Sequence, residues 1–262
     1  MLPVEVTLPR LEEPEAEKQK TQPWEQPIQG IRVSREELYS DISDAVALTR
    51  VYMAMVVLST IVAALGVLRD NTAVVIGAMV IAPLLGPNVG LALSTALGDF
   101  DLAIKSLKTN LAGVSTAFGI SVILGYLIPV DPDVYEIAIR TEVHHYDIAL
   151  ALASGAAGVL AYTVGMSAAV IVVMVAVALL PPLVTAGLLL GDMQWTLALY
   201  AGLLLITNVI CVNLAGVATF IFQGVRPRTW YETTKAKRAN KMAIMLWLVL
   251  LIILMILIYY SG

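Results

Sequence analysis

The polar side chains that could do chemistry inside the apolar stretches of this 262-residue chain are neutral: Ser59, Asn88, Asn110, Ser154, Thr185 and Asn208. Hydroxyl and amide oxygens of this kind can replace part of the hydration shell of a cation or hold a small neutral solute. Pro83, Gly86 and Pro87 stand just before Asn88, and Pro181 and Pro182 just before Thr185. Proline lacks an amide donor and collides with the preceding turn, so each cluster frees carbonyls that hydrocarbon cannot satisfy. A break of this sort has to be buried in protein or line a wet cavity. The eleven residues together form a candidate solute or ion pathway. The plainer role for such groups is to bridge helices at about 0.6 to 2 kcal/mol each.

Other chemistries find little support. Asp70, Asp99 and Asp192 sit at segment ends, and His144 and His145 lie together in a polar loop, so no acid or base stands at mid-span to carry a coupling proton. Two adjacent histidines without further clustered ligands do not make a metal site. Patterns for a nucleophile elbow, a phosphate loop or a zinc protease helix do not occur. The chain therefore reads as a non-enzyme without a cofactor. Cys211 is the only cysteine and lies in an apolar run, which excludes a disulfide within one chain.

The elements that must position these residues are membrane helices, because 59% of residues are apolar and only 14% charged, a balance foreign to soluble domains. Seven hydrophobic segments are expected, at about 49–68, 72–98, 108–128, 147–163, 167–190, 195–222 and 242–260. They follow a Pro-containing acidic arm at 1–33 and an amphipathic interfacial helix at 34–48, where Ser34 and Glu37 fit a capping box. A polar loop at 129–146 and a basic loop at 223–241 separate a first membrane repeat at 49–128, a second at 147–222 and a C-terminal span at 242–262. The basic loop suits anionic lipid rather than nucleic acid. If every segment crosses and the N-terminus is cytoplasmic, 14 of the 16 Lys and Arg residues fall inside, which places the chain in a cytoplasmic membrane. If 72–98 and 167–190 are instead re-entrant hairpins, the split is 13 to 3, so charge does not choose between the layouts.

A shift of 95 residues lays "TAVVIGAMVIAPLLGPNVG" at 72–90 over "SAAVIVVMVAVALLPPLVT" at 167–185 with nine identities in nineteen, including Pro87 with Pro182. Ser59 then falls on Ser154, and a shift of 98 brings Thr109-Asn110 onto Thr207-Asn208. The expected fold is accordingly an all-α membrane protein of two three-segment repeats with proline-broken second helices, plus one extra C-terminal helix. An odd number of crossings per unit turns the copies upside down relative to one another, the arrangement of many secondary transporters.

The runs "LSTIVAALGVLRDNTAVVIGAMVIAPLLGPNVGLALSTALGD" at 58–99, "ALASGAAGVLAY" at 151–162 and "VAVALLPPLVTAGLLLGD" at 175–192 closely resemble the prokaryotic membrane family known as domain of unknown function 389. The resemblance covers roughly 34–225 and implies a multi-span domain, often suspected of transport, with no settled substrate. Two functions follow as expectations: a transporter or channel for a small solute or ion, or a non-transporting scaffold whose kinked helices form a rigid platform. A homo-oligomer is also expected, since six spans enclose little interior and broken backbone needs shielding from lipid.

Overall fold

A computed structural model describes residues 34–142, 144–164, 179–225, 245, 247–253 and 255–256. The arm at 1–33, nearly all of the basic loop, the first part of the segment at 167–190 and parts of the C-terminal span lie outside them.

Four of the helices begin where a side chain satisfies an amide that the first turn leaves open. Ser34 accepts from the Glu37 amide at 3.1 Å and opens α1, Arg35–Ala45. Thr49 does the same for α2, Arg50–Leu68, and Asn71 for α3, Thr72–Ile81. Leu85–Leu97 forms α4, and Asp99 caps α5, Phe100–Leu127. The remaining helices are α6 at Tyr135–Thr141, α7 at His145–Thr163, α8 at Leu180–Gly191 and α9 at Trp195–Phe222. The protein is all-helical over the described residues. Among the described residues four helices, α2, α5, α7 and α9, are long and apolar enough to cross a membrane, and α3 with α4 makes a fifth if the bent pair is one span.

The prolines divide into two roles. Pro83 ends α3: it has no amide to offer Met79, and Ala82 before it takes an extended conformation, ψ 121°, as the proline ring demands. The axis turns by 53° between α3 and α4. Pro87 occupies the third position of α4, and Pro181 and Pro182 the second and third of α8. First-turn amides have no intrahelical acceptor, so these three start helices rather than break them, a division of labour that spacing alone does not reveal.

Lipid removes most of the hydrophobic drive between helices, which leaves close packing to hold them together. Glycines supply it. Gly155 of α7 lies against the Val212 backbone of α9, where an added Cβ would be 2.7 Å from Val212 Cα. Gly125 of α5 lies against the Leu188 backbone of α8, and Gly191 of α8 against Val122, Gly125 and Tyr126 of α5. Helix α1 is seated rather than peripheral: Leu38, Ile42 and Val46 are buried in one cluster with Leu85, Val89 and Leu93 of α4. Trp247 and Leu251 pack on Ile148, Ala151, Ile210 and Cys211, joining the C-terminal helical residues to α7 and α9.

Candidate functional site

The site is built on α5, whose 28 residues give it a length of about 42 Å. Helix α4 runs back along its first half: the turn at Gly98, in the left-handed region at φ 69°, joins the two, Gly90 faces Ser106, and Leu84 reaches 3.1 Å from the Cβ position of Gly113. Helix α8 lies along the second half, with Gly187 against Phe118 and Ser121 and Gly191 against Val122 and Tyr126. The C-terminal ends of α4 and α8 therefore sit at opposite ends of α5. At a rise of about 1.5 Å per residue α4 is about 20 Å long and α8 about 18 Å, so both start near the middle of α5, at the level of Gly113. Leu84 and Leu180, one from each start, share a buried cluster with Ala117.

Protein encloses both half-length helices. Eleven of the 13 residues of α4 and eleven of the 12 of α8 are buried. Helix α4 is covered by α1, α5 and α9, and α8 by α2, α5 and α9. The α1–α2 connection closes one flank: the Ala45 carbonyl oxygen stands 2.7 Å from the Cβ position of Gly86, and the Thr109 hydroxyl donates to the Val46 carbonyl at 2.7 Å. Gly86 thus serves first to admit Ala45.

Inside this frame, Asn213 of α9 donates through Nδ2 to Asn88 Oδ1 at 3.0 Å and to the Val209 carbonyl at 2.9 Å. Asn88 in turn donates to the Leu84 carbonyl at 2.9 Å, next to the start of α4. Both amides are buried, and Asn213 Oδ1 has no partner. Thr185 Oγ1 on α8 and Ser106 Oγ on α5 are likewise buried and unpartnered.

The other candidate residues are spread around this centre. Ser59, fully buried on α2, donates to the Val56 carbonyl at 3.1 Å, and partly exposed Ser154 on α7 donates to Leu150 at 2.8 Å. Asn110 on α5 is partly exposed and Asn208 on α9 buried. Pro83, Gly86, Pro87, Asn88, Pro181 and Pro182 come together at the two starts. Asn213 is not among the residues that the sequence assigns to the pathway, because it falls outside the matched repeat positions; its signal in the sequence is a further polar side chain, after Thr207 and Asn208, within the apolar run of α9.

Charge is kept away from the centre. Among the described residues only Glu136 and Arg140 are both charged and buried, and both belong to α6. Arg140 Nη2 pairs with Glu136 Oε2 at 2.7 Å, so that oxygen has an ionic partner although no conventional hydrogen bond. Thr72 donates to Glu136 Oε1, and Asp70 accepts from the Glu136 amide at 2.9 Å, which fixes α6 to the α2–α3 turn. Burial pulls the Arg140 pKa down and Glu136 opposes the pull. His144 stacks on Tyr146 at 4.8 Å, and among the described residues no group of three His, Cys, Asp or Glu side chains could hold a metal ion.

A family model described as "Domain of unknown function (DUF389)" matches residues 79–214, 136 of the 262, running from the end of α3 through Asn213. The chain belongs to this family. An uncharacterized protein of Methanocaldococcus jannaschii is 38% identical over 255 residues, which cover 97% of this chain and 77% of the relative. No solved structure matches the chain. The DUF389 match takes in both half-length helices and the asparagine pair, so the converging starts lie within the family's common region.

Proposed function

We propose that this DUF389 protein is a transporter or channel that moves a small solute or ion along a path through the two helix starts at the middle of α5. One observation carries the reading: α4 and α8 end at opposite ends of α5 yet start at the same level, enclosed by protein. A proline kink that merely bends one packed helix gives no reason for a second half-length helix to start at the same level and run the opposite way. Two half-length helices meeting head to head at mid-depth are a recurring architecture of secondary transporters.

The arrangement also supports two repeats of opposite orientation. Helices α2 and α7 have 19 residues each, α5 and α9 have 28 each, and α4 and α8 have 13 and 12. Helix α4 packs on both α5 and α9, and so does α8. Contacts repeat as well. Ala92 and Gly187 correspond at a shift of 95, Phe118 and Gly216 at 98, and in each copy the pair touches: Ala92 Cβ is 2.9 Å from the Cβ position of Gly216, and Phe118 O is 3.1 Å from that of Gly187.

A second reading, a non-transporting scaffold, is favoured by the tight seating of Gly86 on Ala45 and by the backbone contact between α5 and α8. Solute flux into proteoliposomes separates the two. Transport requires flux above empty vesicles that falls when Pro182 is changed to Leu, at the start of α8. Folded protein that passes no tested solute or ion would leave the scaffold.

A further inference from the structure

We infer that the permeant is an uncharged solute that donates hydrogen bonds, and that Asn213 Oδ1 and the Thr185 hydroxyl are the groups that receive it; this deepens the transport reading and rests on it.

The electrostatics of the centre speak against cations. A helix carries roughly half a positive charge at its N-terminus, and here two N-termini, those of α4 and α8, meet at one level. No buried carboxylate of the described spanning helices offsets them, since Glu136 belongs to α6 and is paired with Arg140. Converging positive helix ends act as a barrier to cations and protons.

Anions meet a different obstacle. A helix N-terminus binds an anion through its open amides. Pro87, Pro181 and Pro182 take three of the six first-turn positions of the two helices and contribute no N–H. No buried Lys, Arg or His of the described spans supplies a countercharge. Three of the four side-chain N–H groups of the asparagine pair are also committed, two of Asn213 Nδ2 to Asn88 and Val209 and one of Asn88 Nδ2 to Leu84.

What remains open is Asn213 Oδ1, which can only accept, and the hydroxyls of Thr185 and Ser106, which can accept as well as donate. Asn213 Oδ1 and Thr185 Oγ1 are each fully buried and without a partner. An unpaired buried oxygen is unfavourable, and the penalty is relieved by a ligand that brings an O–H or N–H. An uncharged donor relieves it without crossing the positive barrier and without a buried countercharge. The hydroxyl of Thr185 can in addition donate to a carbonyl or hydroxyl on the same solute.

The test uses the full chain in proteoliposomes with four probes: glycerol and urea followed by light scattering, and K⁺ and Cl⁻ followed by ion-selective electrodes. Glycerol or urea should enter faster than in empty vesicles, with K⁺ and Cl⁻ at the empty-vesicle rate. Asn213→Leu should lower uncharged flux by about tenfold, as expected for one lost hydrogen bond in the rate-limiting passage. Thr185→Val, which exchanges the hydroxyl for a methyl at the same shape, should also lower it and serves if Asn213→Leu does not fold. Flux of K⁺ or Cl⁻ with none of glycerol or urea would overturn the inference and leave transport standing. Uncharged flux unchanged in a folded variant would overturn the assignment of these two groups. Absence of flux for all four probes would overturn the inference and count against transport itself.

Discussion

Asn213 donates to Asn88 at 3.0 Å, a bond between positions 125 apart that ties α9 to the start of α4 within a buried, uncharged interior. In such surroundings the worth of a polar contact depends on what is left behind when one partner goes. Asn88→Leu leaves Asn213 with an unmet donor, and Asn213→Leu leaves Asn88 Oδ1 unmet, so each single change should destabilise by about 1 to 3 kcal/mol. The double change to leucine removes every orphan in the pair, Asn213 Oδ1 included, and is expected to be less damaging than either single one. Unfolding free energies in lipid nanodiscs, combined as a double-mutant cycle, would show this; additive losses would mean the two amides do not act as a pair.

Glycine positions should separate sharply by what a methyl group would meet. At Gly125 it meets the Leu188 backbone, which cannot rotate away, whereas at Gly77, Gly119 and Gly202 nothing lies within 4 Å. Gly125→Ala should destabilise by about 1 to 3 kcal/mol or prevent folding. The other three should gain about 0.5 to 1 kcal/mol from the stiffer helix. Thermal unfolding of the four variants decides it, and equal tolerance at Gly125 would refute the α5–α8 backbone contact.

How much of this could be read from the residues depends on whether local chemistry or a distant partner sets the role. The break at Pro83 was legible, because a missing amide and a clash act within one turn. The start of α1 was marked by Ser34 for the same reason, whereas α5 opens at Phe100, capped by Asp99, eight residues before the expected start at 108, because its first turns carry Asp101, Lys105 and Lys108 and so do not read as apolar. The seat of α1 was not legible: it depends on Gly86 and Gly90 leaving room for Ala45 and Val46, some forty positions away. Gly86 looked like part of the break when its missing side chain serves that contact. Asn213 stood out too little, since only its meeting with Asn88 distinguishes it from the other amides, and Pro87, Pro181 and Pro182 gave no sign of starting helices until the helix bounds were known.

The buried ion pair makes an asymmetric prediction. Glu136→Gln leaves Arg140 buried with a weaker partner and should destabilise by about 3 to 5 kcal/mol, the usual penalty for breaking a buried pair. Replacing both residues, Glu136→Leu with Arg140→Met, should recover much of the loss. Chemical unfolding of the three proteins checks it; a harmless Glu136→Gln would show that α6 does not rely on the pair.

Tyr39 donates to Asp99 Oδ2 at 2.8 Å and so latches α1 to the α4–α5 turn. That hydrogen bond, then burial, then the charges of Asp99 and Asp101 raise the tyrosine pKa above its ordinary value of 10.0. The folded state favours the neutral phenol, so the latch contributes fully below the ordinary value and is lost as pH rises through the raised one. Stability of the wild type measured against alkaline pH should show this loss. Tyr39→Phe should lack it, and an identical alkaline profile in both proteins would remove the latch.

The most direct test of the whole reading is the sidedness of the two turns that close α4 and α8. Phe100 and Met193 are exposed, at 67% and 64%, just beyond those helices, while Cys211 is fully buried and can stay in place. Single cysteines at these two positions, probed with an impermeant thiol reagent in right-side-out and inside-out vesicles, report on them independently. Labelling from opposite faces is expected, with Phe100→Cys on the cytoplasmic side and Met193→Cys outside. Labelling of both from the same face would make the segments re-entrant, contradict the opposed repeats, and remove the path through the middle of α5.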